Sequence, residues 1–206
     1  MSSYWEARYG AGGNSGIGSY GHFALFKSEI INAFVKENSV RKVIEFGCGD
    51  GNQLSLMEYP DYTGIDVSET AVAICRSRFA GDPTKRFALA GSAIPDPGEY
   101  DLALSLDVIF HLTEDAIFDR YMHDLFAASS RFVIIYSSNG DPANGTYDWP
   151  PHVRHRCFTQ WIARNAVAWR LVRHIPNRYP FYIDAEGEHG SFADFHVFEK
   201  SETATP

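Results

Sequence analysis

The chain is short of cysteine, of positive charge and of long apolar runs. Three cysteines occur in 206 residues, Cys48, Cys75 and Cys157, at long, unmatched spacings. They cannot pair off completely, so a disulfide scaffold is excluded, a reducing compartment is expected, and the thiols read as packed apolar groups. Eighteen Lys and Arg stand against 26 Asp and Glu, a formal net charge of −8. That balance repels phosphate backbones and disfavours nucleic-acid binding. No apolar run reaches the roughly 20 residues of a bilayer-spanning helix, and residues 1–21 are polar, aromatic and glycine-rich with no apolar signal core. A soluble cytoplasmic protein with no membrane partner is expected. Repeats, low-complexity tracts and linkers are missing too.

What is present is apolar bulk. With 45 % hydrophobic and 15 % aromatic residues, a chain of this size buries one core of ordinary thickness, which argues for a single domain over 1–206. Apolar residues at helical spacing predict a helix over 23–35, a break at Asn38 and Ser39, and a buried strand over 41–46. A short helical stretch at 53–57, a strand at 62–65 and a helix from the N-cap-type Ser68 to 79 follow. Strands are predicted at 85–89, 101–105 and 131–136, with a helix over 114–128 that carries Ile117, Tyr121, Leu125 and Phe126 on one face. Beyond them 158–166 reads as helix, 169–175 as strand, and 192–198 alternates as an antiparallel or edge strand does.

Strands alternating with helices imply an α/β fold, a mostly parallel, doubly wound sheet with helices on both faces and an antiparallel pair at the far edge. Ligands of such sheets sit over the carboxyl ends of the strands where the winding reverses. Here that means just after Phe46, Ile65, Leu89, Ser105 and Tyr136.

The sharpest signal is Val43-Ile44-Glu45-Phe46-Gly47-Cys48-Gly49-Asp50-Gly51, a buried strand running straight into alternate glycines. Missing side chains let the backbone lie against a ligand, positive φ is allowed, and the helix start that follows offers free amide donors. Fifteen residues after Gly51 the next strand ends in Gly64-Ile65-Asp66, where a carboxylate can accept both hydroxyls of a ribose.

These residues resemble class I S-adenosylmethionine-dependent methyltransferases, whose first motif reads acid, any, Gly, any, Gly, any, Gly; Glu45, Gly47, Gly49 and Gly51 match it. Tyr62-Thr63-Gly64-Ile65-Asp66-Val67-Ser68 is similar to the family's ribose-binding second motif, and 100–108 to its fourth, so the likeness covers about 40–137. It implies a Rossmann-like seven-stranded sheet with an antiparallel edge strand, and an enzyme whose cofactor is S-adenosyl-L-methionine. Carried over, it gives the methionine part to Glu45 and the loop of Gly47, Cys48, Gly49 and Gly51, the ribose to Asp66, the adenine face to Val67, and a further cofactor contact to Asp107. Many members place an acid after the third strand to hold the adenine amine; this chain departs from them with Gly91-Ser92-Ala93, leaving Ser92 and Ala93 for that place. The domain then divides into a lid at 1–22, a cofactor-binding core at 40–137, and an acceptor-side loop with closing strands at 139–190.

A second pattern, Gly16-Ile17-Gly18-Ser19-Tyr20-Gly21, also spells G-x-G-x-x-G, but no strand precedes it and the pyrophosphate-binding geometry is therefore missing. Residues 10–21 read instead as a flexible segment that closes over the cofactor. Tyr4-Trp5-Glu6-Ala7-Arg8-Tyr9 is similar to the N-terminal helices that cover the site in family members, or else packs as an aromatic core patch.

Methyl transfer from a sulfonium is an in-line displacement, so alignment and exclusion of water come first. A base matters only where the acceptor must lose a proton. His111, just past the fourth strand, is the leading candidate, with His152 and His155 behind it; each is equally a capping or packing group. Between 149 and 183 there are six arginines and three histidines but no Asp or Glu. Arg154 and Arg156, in the loop after the fifth strand, are placed to clasp a phosphate or carboxylate, or belong with the others to a solvated basic face. His152 and His155 beside Cys157 have too few ligands nearby for zinc, and no metal is expected. The expected activity is methyl transfer to oxygen, or nitrogen, of a small anionic acceptor such as a sugar, a nucleotide-linked sugar or a secondary-metabolite intermediate, by a monomer or homodimer. An RNA or protein methyltransferase and a noncatalytic cofactor-binding module are the alternatives.

Overall fold

A helix, α2 (Gly21–Glu37), precedes the first strand, β1 (Lys42–Phe46), as its apolar spacing predicts. The computed structural model describes residues 2–91, 97–143, 145–185 and 187–201. After β1 the chain runs through β2 (Asp61–Asp66), α3 (Glu69–Arg78), β3 (Lys85–Leu89), β4 (Tyr100–Leu106), α4 (Asp115–Ala128) and β5 (Ser129–Ser137). It closes with α5 (Phe158–Asn165), β6 (Trp169–Ile175), a hairpin of β7 (Tyr182–Asp184) and β8 (Gly187–His189), and β9 (Asp194–Lys200).

Seven strands form one sheet in the order β3-β2-β1-β4-β5-β9-β6. The first five are parallel to their neighbours; β9 is antiparallel to both β5 and β6, giving the antiparallel pair at the far edge. From β1 the chain winds outward to β3 and then crosses back to lay β4 against the other side of β1. The carboxyl ends of β1 and β4 therefore flank the reversal, the place where a crevice opens in such sheets.

Alternate side chains of the central strands point to opposite faces and enter two separate cores. Val43, Leu102, Leu104 and Ile134 pack with Phe26, Ile31, Phe34 and Val72 of α2 and α3. Ile44, Ala103, Val133 and Ile135 pack with Phe118, Met122, Phe126 and Ile162 of α4 and α5. Because both faces are covered, these strands read as unbroken apolar runs rather than alternating ones. Helix α3 starts where expected: the Ser68 Oγ accepts from the Ala71 amide at 3.1 Å.

Two features lie outside the periodicity argument. The hairpin of β7 and β8 is made of strands too short to show a pattern. The glycine-rich segment 10–21 is tied down rather than left free. Ser15 N and the Tyr20 hydroxyl both donate to Asp50 Oδ2, at 2.9 and 2.7 Å, and Asn52 Nδ2 donates to the Ser19 carbonyl at 2.8 Å. Its partners sit about 35 residues further on, which local sequence does not reveal. Helix α1 (Ser2–Gly10) lies before it. Among the described residues no helix is long and apolar enough to cross a membrane.

Candidate functional site

At the end of β1 the backbone turns through Gly47 and Gly49 with φ of 92° and 57°. A Cβ on Gly47 would lie 2.4 Å from Val108 Cγ2, and one on Gly49 would lie 2.3 Å from Ser15 Oγ. Both positions exclude a side chain because other parts of the protein close over the loop. Gly51 differs: a Cβ there would meet Phe79 and Cys75 Sγ at 2.8 and 3.0 Å, so it lets the loop pack against α3 and does not line the cavity.

The expectation that this loop offers free amides is corrected. Gly47 N and Cys48 N donate to the Ile65 carbonyl, Gly49 N to Asp66 Oδ2, Asp50 N to Ser15 Oγ, Gly51 N to the Cys48 carbonyl and Asn52 N to Asp50 Oδ1. The parallel register of β1 and β2, with Phe46 opposite Ile65, puts the Ile65 carbonyl directly under the turn. What the loop gives a ligand is close approach of its glycine backbone and not a set of donors.

Over the loop lies a cavity of about 760 Å³. Glu45, Gly47, Cys48 and Gly49 form one wall, Asp66, Val67 and Gly91 one end, and Ile117, Arg120 and Tyr121 of α4 a side. Trp5 and Tyr9 of α1, with Ser15 and Ser19, come from the N-terminal segment, while Lys27, Asp107 and His111 gather at the β4 side. Val67 and Ile117 line it although 43 and 40 % exposed, two apolar side chains without a protein partner to cover them. Ser92 and Ala93 lie outside the described residues.

Glu45, Asp66 and Asp107 are carboxylates at strand ends that face this space. Burial pushes Glu45 up to about 7, although the Tyr62 hydroxyl donates to its Oε2 at 2.6 Å. Burial also raises Asp66, against the Gly49 and Ser68 amides that each donate to it at 2.9 Å. Asp107 sits in left-handed backbone, φ 58°, and accepts from Lys27 Nζ at 2.6 Å. Helix α1 is held over the cavity from a distance: its Glu6 accepts from the hydroxyls of Ser68 and Thr70 at the start of α3.

The three candidate histidines separate. His111 lines the cavity, and its Nδ1 lies 3.0 Å from the His152 carbonyl. A carbonyl only accepts, so Nδ1 carries the proton and Nε2 keeps its lone pair. Burial lowers the His111 pKa below the ordinary histidine value. His152 stacks on Tyr4 at 4.5 Å and does not line the cavity. His155 is out of it too: its Nδ1 meets Ser138 Oγ at 2.6 Å, its ring packs on Trp149 and Phe192, and burial pushes it down to about 4.

The arginine pair is likewise engaged elsewhere. Arg154 Nη1 donates to the Thr113 carbonyl at 2.8 Å and lies 3.0 Å from Asp115. Arg156 donates to the carbonyls of Leu112 and Thr113 and to Asp115, and lies over the Phe118 ring at 4.7 Å. Neither guanidinium lines the cavity. The start of α4 fills the fork of Arg156 and holds Nη1 of Arg154, against the expected anion clasp; the acid that answers both, Asp115, lies far before the acid-free stretch that drew attention to them. No group of three His, Cys, Asp or Glu placed to hold a metal occurs among the described residues.

Lys27 is the lining residue that sequence reading passed over. The signal was there: a lysine inside the buried stripe of α2, with Phe23, Ile31 and Phe34 around it, requires an acid partner.

Comparisons with known proteins agree with this geometry. A family model described as a methyltransferase domain matches residues 20–179. The EEF1A lysine methyltransferase 4 of Bos taurus is 30 % identical over 219 residues, covering 94 % of this chain and 78 % of that protein. The methyltransferase domain of bacterial CtHen1-C superposes with a TM-score of 0.62 at 25 % identity, over 85 % of this chain and 97 % of that one. The N-methyltransferase NodS from Bradyrhizobium japonicum WM9, solved with S-adenosyl-L-homocysteine, superposes with a TM-score of 0.61 at 13 % identity, over 87 and 88 %; at that identity the likeness is one of fold.

Proposed function

This chain belongs to the methyltransferase-domain family and is a class I S-adenosylmethionine-dependent enzyme; from that premise we propose that it methylates a small hydroxyl- or amine-bearing acceptor enclosed beneath the lid at 1–22, with His111 as the base. The observation that carries the reading is the free Nε2 of a His111 kept neutral inside a cavity roofed by Trp5 and Tyr9.

The lining suits the cofactor. When bound, S-adenosylmethionine supplies an electrophilic methyl group on a sulfonium. Asp66 would accept from the ribose hydroxyls through the lone pairs left over by its two amide bonds. The uncovered faces of Val67 and Ile117 would flank the adenine. The glycine wall of Gly47, Cys48 and Gly49 would lie along the methionine part, while Asp107 sets a carboxylate near its positive charges and Glu45 adds a second one where it ionises. Gly51 serves by packing.

The cavity of about 760 Å³ falls among the roughly 300–1,000 Å³ of small-ligand sites, and because the cofactor would occupy much of it, the space left suits a small acceptor. His111 takes the proton of an O–H or N–H as the new bond forms, and Trp5 and Tyr9 exclude water. The arginine loop gives no support for an anionic acceptor. Methyl-labelled cofactor, supplied with sugars, nucleotide sugars and other hydroxylated or aminated metabolites, is expected to label one small-molecule class. His111→Asn should cut kcat about 10²- to 10⁴-fold at unchanged cofactor Kd.

A second reading, methylation of a protein lysine, is favoured by the bovine relative, which matches 94 % of this chain. Label found in protein lysines and in no metabolite would replace the first reading with this one.

A further inference from the structure

We propose that Tyr4 of the lid helix and His152 of the loop after β5 are positioning residues that hold His111 in one orientation and one tautomer, so that the base is assembled only when α1 is in place. The inference rests on the reading of His111 as the base and extends it to residues that do not touch the cavity.

Four rings form a continuous cluster. His152 stacks on Tyr4 at 4.5 Å and 15° and on His111 at 5.6 Å and 18°, while Trp5 meets His111 edge-on at 5.0 Å and 82°. The main chain of the same His152 carries the carbonyl that accepts from His111 Nδ1 at 3.0 Å. The lid thus grips His152 by its ring, and His152 decides which nitrogen of His111 is free. Because the tautomer of a histidine follows the bond made by its other nitrogen, a shift of that carbonyl would release the assignment.

Helix α1 is anchored independently of this cluster. Glu6 accepts from Ser68 Oγ and the Thr70 hydroxyl, and Ser68 directly follows the Asp66-Val67 pair assigned to the adenosine. One rigid helix therefore spans from the cofactor end of the cavity to the base.

The charged and titratable groups that face His111 are Arg8 from α1, Asp107 from the end of β4 with Lys27 of α2 behind it, and His152 and His155 from the loop. Burial acts most strongly and disfavours the imidazolium; the bond to the His152 carbonyl and the charge of Asp107 favour it, while the His152 ring and Arg8 oppose it. Part of that cover is the Trp5 ring of α1, edge-on to His111 at 5.0 Å. Loosening the Tyr4–His152 stack exposes His111 and moves its titration up into the ordinary histidine range.

The test is a pH titration of histidine-labelled full-length protein by nitrogen NMR without cofactor, with His111→Asn to assign the signal. In the wild type, His111 should appear as the Nδ1–H tautomer and titrate below the ordinary range. Tyr4→Ala and His152→Ala should mix the tautomers and raise the titration, and Tyr4→Phe, which keeps the stacked ring, should restore both. In the same variants kcat should fall about 10- to 100-fold, with the acidic limb of the rate profile following the NMR shift and cofactor Kd unchanged. A His111 tautomer and titration identical to wild type in Tyr4→Ala and His152→Ala overturns the proposal. If those variants shift His111 as expected but His111→Asn retains full kcat, the positioning of the ring stands and its role as base falls.

Discussion

Lys27 Nζ lies 2.6 Å from Asp107 Oδ2, and the lysine side chain is only 1 % exposed. The pair bridges the middle of α2 and the end of β4, with the ammonium 5.2 Å from the centre of the Tyr136 ring. It also holds Asp107 in left-handed backbone, a conformation a carboxylate residue tolerates and larger side chains resist.

Removing one member of such a pair leaves an uncompensated buried charge, and the cost is about 3–5 kcal/mol. Asp107→Asn keeps shape and φ but strands Lys27, so it should destabilise by about that amount in urea unfolding. Lys27→Met should cost less, because Asp107 is 21 % exposed and reaches the cavity. Combining the two should recover most of the loss. Additive effects in the double variant would mean that the charges are not coupled.

Glu45 makes stability depend on pH. In the unfolded chain its carboxyl ionises near 4.5, whereas in the fold burial holds it protonated up to about 7. A raised folded pKa contributes stability that is complete below about 4.5 and is lost as pH climbs through 7. Glu45→Gln cannot ionise and still accepts from the Tyr62 hydroxyl. Relative to wild type it should gain on the order of 3 kcal/mol between pH 4.5 and 8. Urea midpoints measured at pH 5, 6.5 and 8 check this; a constant difference across the three would refute it.

Much of this was legible in the sequence. Elements long enough to show a period, such as α2, α4 and the buried strands, were predicted within a few residues because both faces of the sheet demand apolar side chains. The glycine loop and Asp66 were legible because a missing side chain and a strand-end acid are local features. What was not legible was partnership at a distance. The amides of 47–52 looked free because their acceptors, chiefly Ile65, Asp66 and Ser15, come from other elements. Arg154 and Arg156 looked available because Asp115, about 40 residues earlier, does not enter a count taken along the loop. His152 and His155 stood behind His111 as candidate bases, and only the packing seen in the fold takes them out of the cavity.

Gly49 joins the loop to the N-terminal segment, and its substitution should be felt on both. Alanine at φ 57° costs about 1–2 kcal/mol, and its Cβ would displace Ser15, whose amide and hydroxyl both bond to Asp50. Gly49→Ala should weaken cofactor binding by calorimetry and at the same time open residues 10–21 to limited proteolysis. Weaker binding with unchanged proteolysis would separate the N-terminal segment from the loop.

Arg156 and Arg154 give opposite predictions for a structural and a binding role. Arg156 is 12 % exposed, fills its fork with two carbonyls and Asp115, and covers Phe118, whereas Arg154 is 49 % exposed. Arg156→Ala takes the arginine donor from the Leu112 carbonyl and uncovers an aromatic ring, a loss of about 1–3 kcal/mol. Arg154→Ala removes an exposed pair whose contribution is about 0–1 kcal/mol. If the two arginines clasped an acceptor, both variants would raise its KM by similar factors and leave stability alone. If they pin the loop to α4, the thermal midpoint falls clearly for Arg156→Ala and little for Arg154→Ala, and any change in KM tracks that loss. Measuring both quantities on both variants separates the roles, because the pinning role ranks the variants by burial and the clasp ranks them together.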